Sequence, residues 1–256
     1  MSEIKNELFK KFLSDLNNVP NSIDEYKYIG TGNPFSNILI IGKEAAILKG
    51  SEQYEREIVD NINYWRGLEE YNSDNIIERD FEKYSAIYPY KGQILKKDNG
   101  KNWGTSKTWM NYQKLINYIF ENTENSLINF HEKSFITEIN STPSKVTADA
   151  DIESIPFRKK HLLTSDYFQS FPIVIISGVG YFETSEQKNE IEQIFNVTFT
   201  EKKYADNVKK SQPYWIHWNK EKTKIIINTY QLSIGIADVL LSEIAKEIKN
   251  SNLLQQ

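Results

Sequence analysis

Charged residues directly follow a strongly apolar stretch in the first half of the chain. Residues 38–41 are Ile-Leu-Ile-Ile, and Gly42, Lys43 and Glu44 come next. An uninterrupted run of branched apolar residues is typical of a parallel strand that is buried on both faces. Ligands of open α/β sheets bind at the carboxyl ends of such strands. The sequence therefore predicts a ligand site at Lys43 and Glu44, where a glutamate can position or deprotonate water.

Three further apolar segments also end in polar residues. Residues 135–139, 173–177 and 224–228 are predicted strands of the same buried type. Right-handed parallel crossovers bring the carboxyl ends of such strands to one edge of the sheet. The polar residues expected together at this edge are Gly42 to Glu44, Glu138 to Asn140, Ser177-Gly178 and Asn228 to Ser233.

Each candidate at this edge also has a simpler interpretation. Glu44 can be a solvated acid, or can pair with Lys43, at a helix N-terminus. Asn228 can bond its own backbone at the end of a strand instead of stabilising a leaving group. Glu138 can pair with a nearby Lys or Arg instead of accepting a hydrogen bond from the amino group of a cytosine-type base. These alternatives stay open at the level of sequence.

Predicted helices separate the strands, which indicates an α/β fold around a mostly parallel sheet of four strands. Helical segments are predicted at residues 4–18, 109–120, 157–169, 186–195 and 236–249, and residues 214–228 read as a hairpin. No linker rich in Pro, Gly or Ser divides the chain. We expect a single domain over residues 1–256, with an N-terminal helix within 1–20 and a frayed tail at 250–256.

Composition argues against several kinds of site. The chain has no Cys, which rules out disulfides, thiolate metal sites and a Cys nucleophile, and its three His argue against a multi-His metal centre. His217, between Trp215 and Trp218, is interpreted as structural. The sequence has no Walker loop, G-x-G-x-x-G turn or G-x-S-x-G elbow. We expect neither a metal nor a cofactor.

The formal net charge of −4 argues against a broad, sequence-blind nucleic-acid surface. A local basic groove remains compatible with it. Lys96, Lys97, Lys101 and Lys107 are interleaved with Trp103 and Trp109, and a second cluster contains Lys202, Lys203, Lys209 and Lys210 with Tyr204 and Tyr214. Loop residue Trp103 is the better candidate for stacking on a ligand, because Trp109 lies on the apolar face of a predicted helix.

The order of these segments resembles the uracil-DNA glycosylase superfamily over residues 38–240. Gly-Lys-Glu-Ala-Ala at 42–46 is similar to the family motif G-Q-D-P-Y or G-E-A-P-G, and Asn-Thr-Tyr-Gln-Leu-Ser at 228–233 to its closing H-P-S-P-L-S. Residues 108–115 resemble the family's S-L-x-N-I-Y-K-E-L helix. Residues 135–140, followed by Pro143, resemble the strand that supplies its base-reading Asn. No motif matches in full.

This resemblance implies a three-layer α/β/α fold that hydrolyses the N-glycosidic bond of a deaminated or modified base in single- or double-stranded DNA. Glu44 then takes the place of the water-activating Asp. Asn228 replaces the His that stabilises the leaving base, and an Asn can donate a hydrogen bond but cannot become cationic. The implied base- or substrate-binding residues are Gly42, Lys43, Glu138, Asn140, Tyr230, Gln231, Ser233 and Trp103.

The departures from the family pattern support a second hypothesis, a catalytically inactive module that binds nucleic acid, a nucleotide or a protein. The missing His, the Ala45 in place of Pro and the acidic net charge all favour it. In either case we expect a cytoplasmic monomer. The N-terminus lacks the features of a signal peptide, and no apolar run approaches the roughly 18 residues that suggest a membrane span.

Overall fold

The computed structural model describes residues 2–20, 23–67, 85–89, 106–122, 128–185, 187–205 and 212–255. Several of the predicted ligand contacts lie outside these ranges. They are Trp103, Lys96, Lys97, Lys101, Lys209 and Lys210. The predicted basic loop is therefore represented in the structure only by Lys107 at its end.

In the described part of the chain, seven strands form one mixed sheet with the order β1-β3-β2-β4-β7-β6-β5. The strands are β1 Thr31–Gly32, β2 Ile38–Gly42, β3 Phe135–Glu138, β4 Ile173–Ile176, β5 Thr198–Ala205, β6 Gln212–Trp218 and β7 Ile225–Thr229. The four predicted strands β3, β2, β4 and β7 are parallel neighbours, as expected. The predicted hairpin is also confirmed, because β6 pairs antiparallel with β7.

The predicted count of four central strands was wrong, because strands also extend the sheet at both ends. Strand β1 pairs antiparallel with β3 through two residues, Thr31 and Gly32. Strand β5 forms the opposite edge, where it pairs antiparallel with β6. Its first five residues are exposed, so an edge strand of this kind lacks the apolar pattern that identifies buried strands.

Helices cover both faces of the sheet. They are α1 Ser2–Asn17, α2 Glu52–Tyr54, α3 Asn61–Arg66, α4 Lys107–Phe120, α5 Phe130–Lys133, α6 Ser154–Arg158, α7 Asp166–Gln169, α8 Glu190–Phe195 and α9 Asp238–Asn250. Leu39, Ile41 and Ile176 pack with α1, α3, α7 and α8 on the first face. Ile38 and Ile40 pack with α4, α5 and α9 on the second face. Alternate residues of one strand are thus buried on opposite faces, which explains the uniformly apolar strands.

Three predicted segments differ from the structure. The helix expected at 157–169 is interrupted: α6 passes into a π-helical turn, Lys159–Leu163, and α7 begins again at Asp166 with Ser165 as its N-cap. The helix expected from Glu186 begins only at Glu190, where the Asn189 side chain accepts from the Glu192 amide. The tail expected to fray instead forms a 3₁₀ turn at Leu253–Gln255, because Leu253 is buried in the core. No helix in the described ranges has the length and apolar character needed to cross a membrane.

Candidate functional site

A cavity of about 170 Å³ lies at the carboxyl ends of β2 and β3. The described residues of its wall that bear on chemistry are Tyr28, Lys43, Glu44, Glu57, Trp109, Tyr112, Glu138 and Gln231. We call it the carboxylate cavity. It brings together four of the residues that the sequence placed at this edge, namely Lys43, Glu44, Glu138 and Gln231.

Parallel register and one glycine place Glu138 in this cavity. Gly42 is the register partner of Glu138 in the β2–β3 pair. A Cβ atom on Gly42 would lie 2.0 Å from Glu138 Oε2. Only glycine, which has no Cβ, therefore allows the Glu138 carboxyl to lie across the end of β2.

The Glu138 side chain is half-buried at the end of β3. Its Oε2 atom is buried and has no hydrogen-bond partner among the described residues. Burial, and next the charge of Glu44, raise the pKa of Glu138 to about 8, although Arg158 acts in the opposite direction. At neutral pH, Glu138 therefore carries a proton that it can donate.

The guanidinium of Arg158 is fully buried beside Glu138 but does not bond its carboxylate. Its Nε donates to the main-chain oxygen of Glu138 at 2.9 Å, and its other nitrogens donate to Thr137 Oγ1 and to the carbonyls of Tyr26 and Tyr28. Burial lowers the pKa of Arg158 to about 10, so the group stays cationic at neutral pH. Arg158 thus holds the backbone under Glu138 and leaves the carboxyl free to face the cavity.

Glu44 is held by hydroxyl groups and is neither solvated nor paired with Lys43. It is 7% exposed, accepts from Thr147 Oγ1 at 2.5 Å and also accepts from the Tyr181 hydroxyl. The Lys43 ammonium lies 5.3 Å from the centroid of the Tyr181 ring. Burial, followed by the bond to Glu44, raises the pKa of Tyr181, so its hydroxyl remains a donor. The Glu44 carboxylate is therefore oriented by the loops that carry Thr147 and Tyr181.

Tyr28 and Tyr112 form an apolar wall with hydroxyl groups near Glu138. Burial raises the pKa of both phenols, and the charge of Glu138 adds to the effect.

The loop after β7 is hydrogen-bonded to Ser177. The Ser177 Oγ atom accepts from the Leu232 amide at 2.7 Å and donates to the Tyr230 carbonyl. These two bonds place Gln231 at the cavity.

Asn228 lines a different cavity, on the opposite face of the sheet. Asn228 pairs in register with Ile176, and Ile176 pairs with Ile41. Glu138 instead pairs with Gly42, one residue further along. A shift of one residue along a strand moves the side chain to the other face. The structure therefore does not bring Asn228 together with Glu44 and Glu138.

The remaining predicted contacts are outside the carboxylate cavity as well. Asn140 is fully buried, where its amide donates to the Asp151 carbonyl at 2.8 Å and accepts from Ser154 Oγ and the Thr142 amide. These hydrogen bonds stabilise the loop that contains Asn140, so its amide is not available to bind a base. Tyr230 is 42% exposed, with its ring 6.3 Å from that of Trp215. The Ser233 carbonyl accepts from Asn111.

Sequence reasoning missed Arg158, Tyr28, Thr147 and Tyr181. Arg158 lies in the segment Arg-Lys-Lys, which reads as the solvated face of a helix. The hydroxyl groups lie on loops and short elements with no periodic pattern. The sequence predicts the positions of β2 and β3. These positions indicate only that the loops after the two strands approach the site.

Searches against protein-family models and among curated proteins each found no match for this chain. Within the described ranges, no group of three or more His, Asp or Glu is arranged to hold a metal ion. The chemistry open to the site therefore follows from its own side chains, three glutamates in one small cavity, of which Glu138 has a pKa raised by burial.

Proposed function

We propose that this chain is a divergent uracil-DNA glycosylase-like enzyme that hydrolyses the N-glycosidic bond of a base in DNA. The observation that carries the proposal is that Glu138, whose Oε2 atom is buried without a partner among the described residues, lines the same small cavity as Glu44. Burial raises the pKa of Glu138, so this carboxyl holds a proton that it can donate, as the acid of a carboxyl pair does. Glycosidic bond cleavage needs such a pair, one group for the leaving group and one for water.

The roles follow from the environments of the two groups. Glu138 donates its proton to the departing base as the C1′–N bond breaks and its electron pair moves to the ring. Water attacks C1′ and passes a proton to Glu44, which Thr147 and Tyr181 hold in place. Exchange of protons with solvent then restores both groups. Glu138 thereby supplies the stabilisation that the sequence assigned to Asn228.

The size of the carboxylate cavity supports a single base as its occupant. At about 170 Å³ it is smaller than the roughly 300–1,000 Å³ of sites for drug-sized ligands. A base in a strand must leave the stack to reach such a pocket. The side chain of Ile234 is 87% exposed on the loop after β7, and exposed apolar side chains of this kind can wedge between base steps.

A binding module remains the second candidate. The observation that favours it is the position of Asn228, which stands where the family motif has its His but lines the other cavity. Such a module would bind strands without releasing a base.

Base release from oligonucleotides distinguishes the two functions. Single- and double-stranded oligonucleotides that each carry one deaminated base are incubated with the protein, and the released base is quantified. We expect release by the parent protein and a loss of about 10²–10⁴-fold in Glu44→Gln, the range typical of general acid–base groups. The matched control is Glu7→Gln on the exposed side of α1. Binding without release of any base, or full activity in Glu44→Gln, would contradict the proposal.

A further inference from the structure

A second cavity, of about 680 Å³, lies over the first face of the sheet at β6 and β7. We call it the amide cavity. Trp215 and Asn228 are direct register partners on its floor, and His217 lies two residues further along β6 on the same face. Helix α8 and the segment that precedes it form the other side. None of the described residues that line the carboxylate cavity lines this one.

Asn228 Oδ1, in a side chain that is 6% exposed, is buried and has no hydrogen-bond partner in the described part of the chain. The His217 side chain, which is 2% exposed, lies on the same face of the sheet. Folded proteins pair nearly all buried polar atoms, because an unpaired one is costly. The Asn228 oxygen on the lining of this cavity therefore points to a ligand that supplies the missing partner.

The chemistry of these two groups is neutral and directional. Burial lowers the pKa of His217, so its imidazole is uncharged at neutral pH and offers one donor and one acceptor. The Asn228 amide likewise offers a donor and an acceptor side by side. A ligand edge that carries an acceptor next to a donor matches this pair, whereas a simple anion or cation does not.

Aromatic side chains surround the polar pair. Phe199 is 44% exposed, and its ring lies 5.6 Å from that of His217. Trp215 is partly exposed, with the Lys202 ammonium 5.4 Å from its ring. Exposed aromatic rings beside a cavity are stacking surfaces for planar ligands, and a base gains about 1–3 kcal/mol from such a contact.

From this arrangement we infer that the amide cavity is a second binding site, which takes an adenine ring on Asn228. A side-chain amide bonds both N6 and N7 of adenine, the pairing expected of Asn, and the aromatic walls stack on the ring. The volume is within the range of small-molecule sites and accommodates a nucleoside. The adenine can belong to a free nucleoside or to a strand. The inference does not rest on the proposed glycosylase activity.

Calorimetric titration of the full chain tests the site with adenosine, 7-deazaadenosine, guanosine and a single-stranded deoxyadenosine decamer. We expect adenosine or the decamer, or both, to bind. 7-Deazaadenosine lacks the N7 acceptor and guanosine lacks the N6 donor, so both should bind at least tenfold more weakly than adenosine. Binding of the decamer alone identifies a strand as the source of the ring.

The variant Asn228→Leu replaces the amide with an apolar side chain that has the same number of non-hydrogen atoms and the same branching. It should weaken adenine binding at least tenfold, and it should melt at or above the parent temperature because a buried unpaired oxygen is lost. Glu7→Gln, on the exposed side of α1, is the matched control and should bind adenosine as the parent does. Unchanged binding in Asn228→Leu, equal affinity for 7-deazaadenosine, or no binding of either adenine probe at millimolar concentration would overturn the inference.

Discussion

The two cavities of this protein lie on opposite faces of one sheet and differ in size and chemistry. The carboxylate cavity is small, about 170 Å³, and is lined by three glutamates, of which Glu138 has a pKa raised by burial. The amide cavity is larger, about 680 Å³, and contains a neutral amide, a neutral imidazole and aromatic rings. The first is suited to proton transfer and the second to recognition without a reaction.

A single register relation accounts for this separation. Glu138 is the register partner of Gly42. Asn228 is the partner of Ile176, which in turn is the partner of Ile41, one residue before Gly42. The end of β7 and the loop after it nevertheless reach both sites, because Asn228 of β7 lines the amide cavity and Gln231 of the loop lines the carboxylate cavity. One sheet edge can thus serve two ligands when adjacent residues point to opposite faces.

The largest expected effect is a pH dependence of stability that comes from the carboxylate cavity. The folded pKa of Glu138, about 8, is above the ordinary value of 4.5. Between these values the folded state holds a proton that the unfolded state has lost, so the free energy of unfolding falls as pH rises, by up to about 1.4 kcal/mol per pH unit. Glu138→Gln should remove this slope in urea denaturation between pH 5 and 8.

The matched variant for this pH series is Asn228→Leu, which changes the amide cavity only. It should retain the slope of the parent protein over the same pH range. An equal slope in Glu138→Gln and the parent would mean that Glu138 ionises normally, and the contrast between the two cavities would then be lost.

A smaller effect is expected from Gly42→Ala. The new methyl group would meet Glu138 Oε2 at 2.0 Å, so the carboxyl must move, at a cost of about 1–3 kcal/mol in unfolding free energy. Base release should fall with it, while adenosine affinity at the amide cavity should not change. Thermal unfolding and the two ligand assays measure these effects.

Gly178→Ala is the control for the Gly42 substitution. Gly178 lies at the end of β4, where an added Cβ meets its nearest atom only at 3.8 Å, an ordinary contact. Its stability should stay within about 0.5 kcal/mol of the parent. Equal destabilisation by the two substitutions would show that the contact with Glu138 is not what makes Gly42 necessary.

The central strands and the Glu44–Glu138 pair were predictable because their signals are local. Each buried strand is an apolar run, and parallel pairing brings the strand ends together. The face on which Asn228 lies was not predictable, because it depends on the register between β4 and β7, and apolar runs on both strands fit more than one register. The burial of Arg158 likewise depends on packing between α6 and β3.

Titration of the Glu138 side-chain carboxyl by ¹³C NMR tests most directly whether Glu138 can be the proton donor. Protein labelled at the glutamate carboxyl carbon is titrated from pH 4 to 10, and Glu138→Gln identifies the resonance. We expect the Glu138 resonance to titrate with a midpoint near pH 8, because burial and the charge of Glu44 both favour the protonated form. A midpoint below pH 5 would mean that Glu138 is ionised at neutral pH and cannot donate a proton to a leaving base.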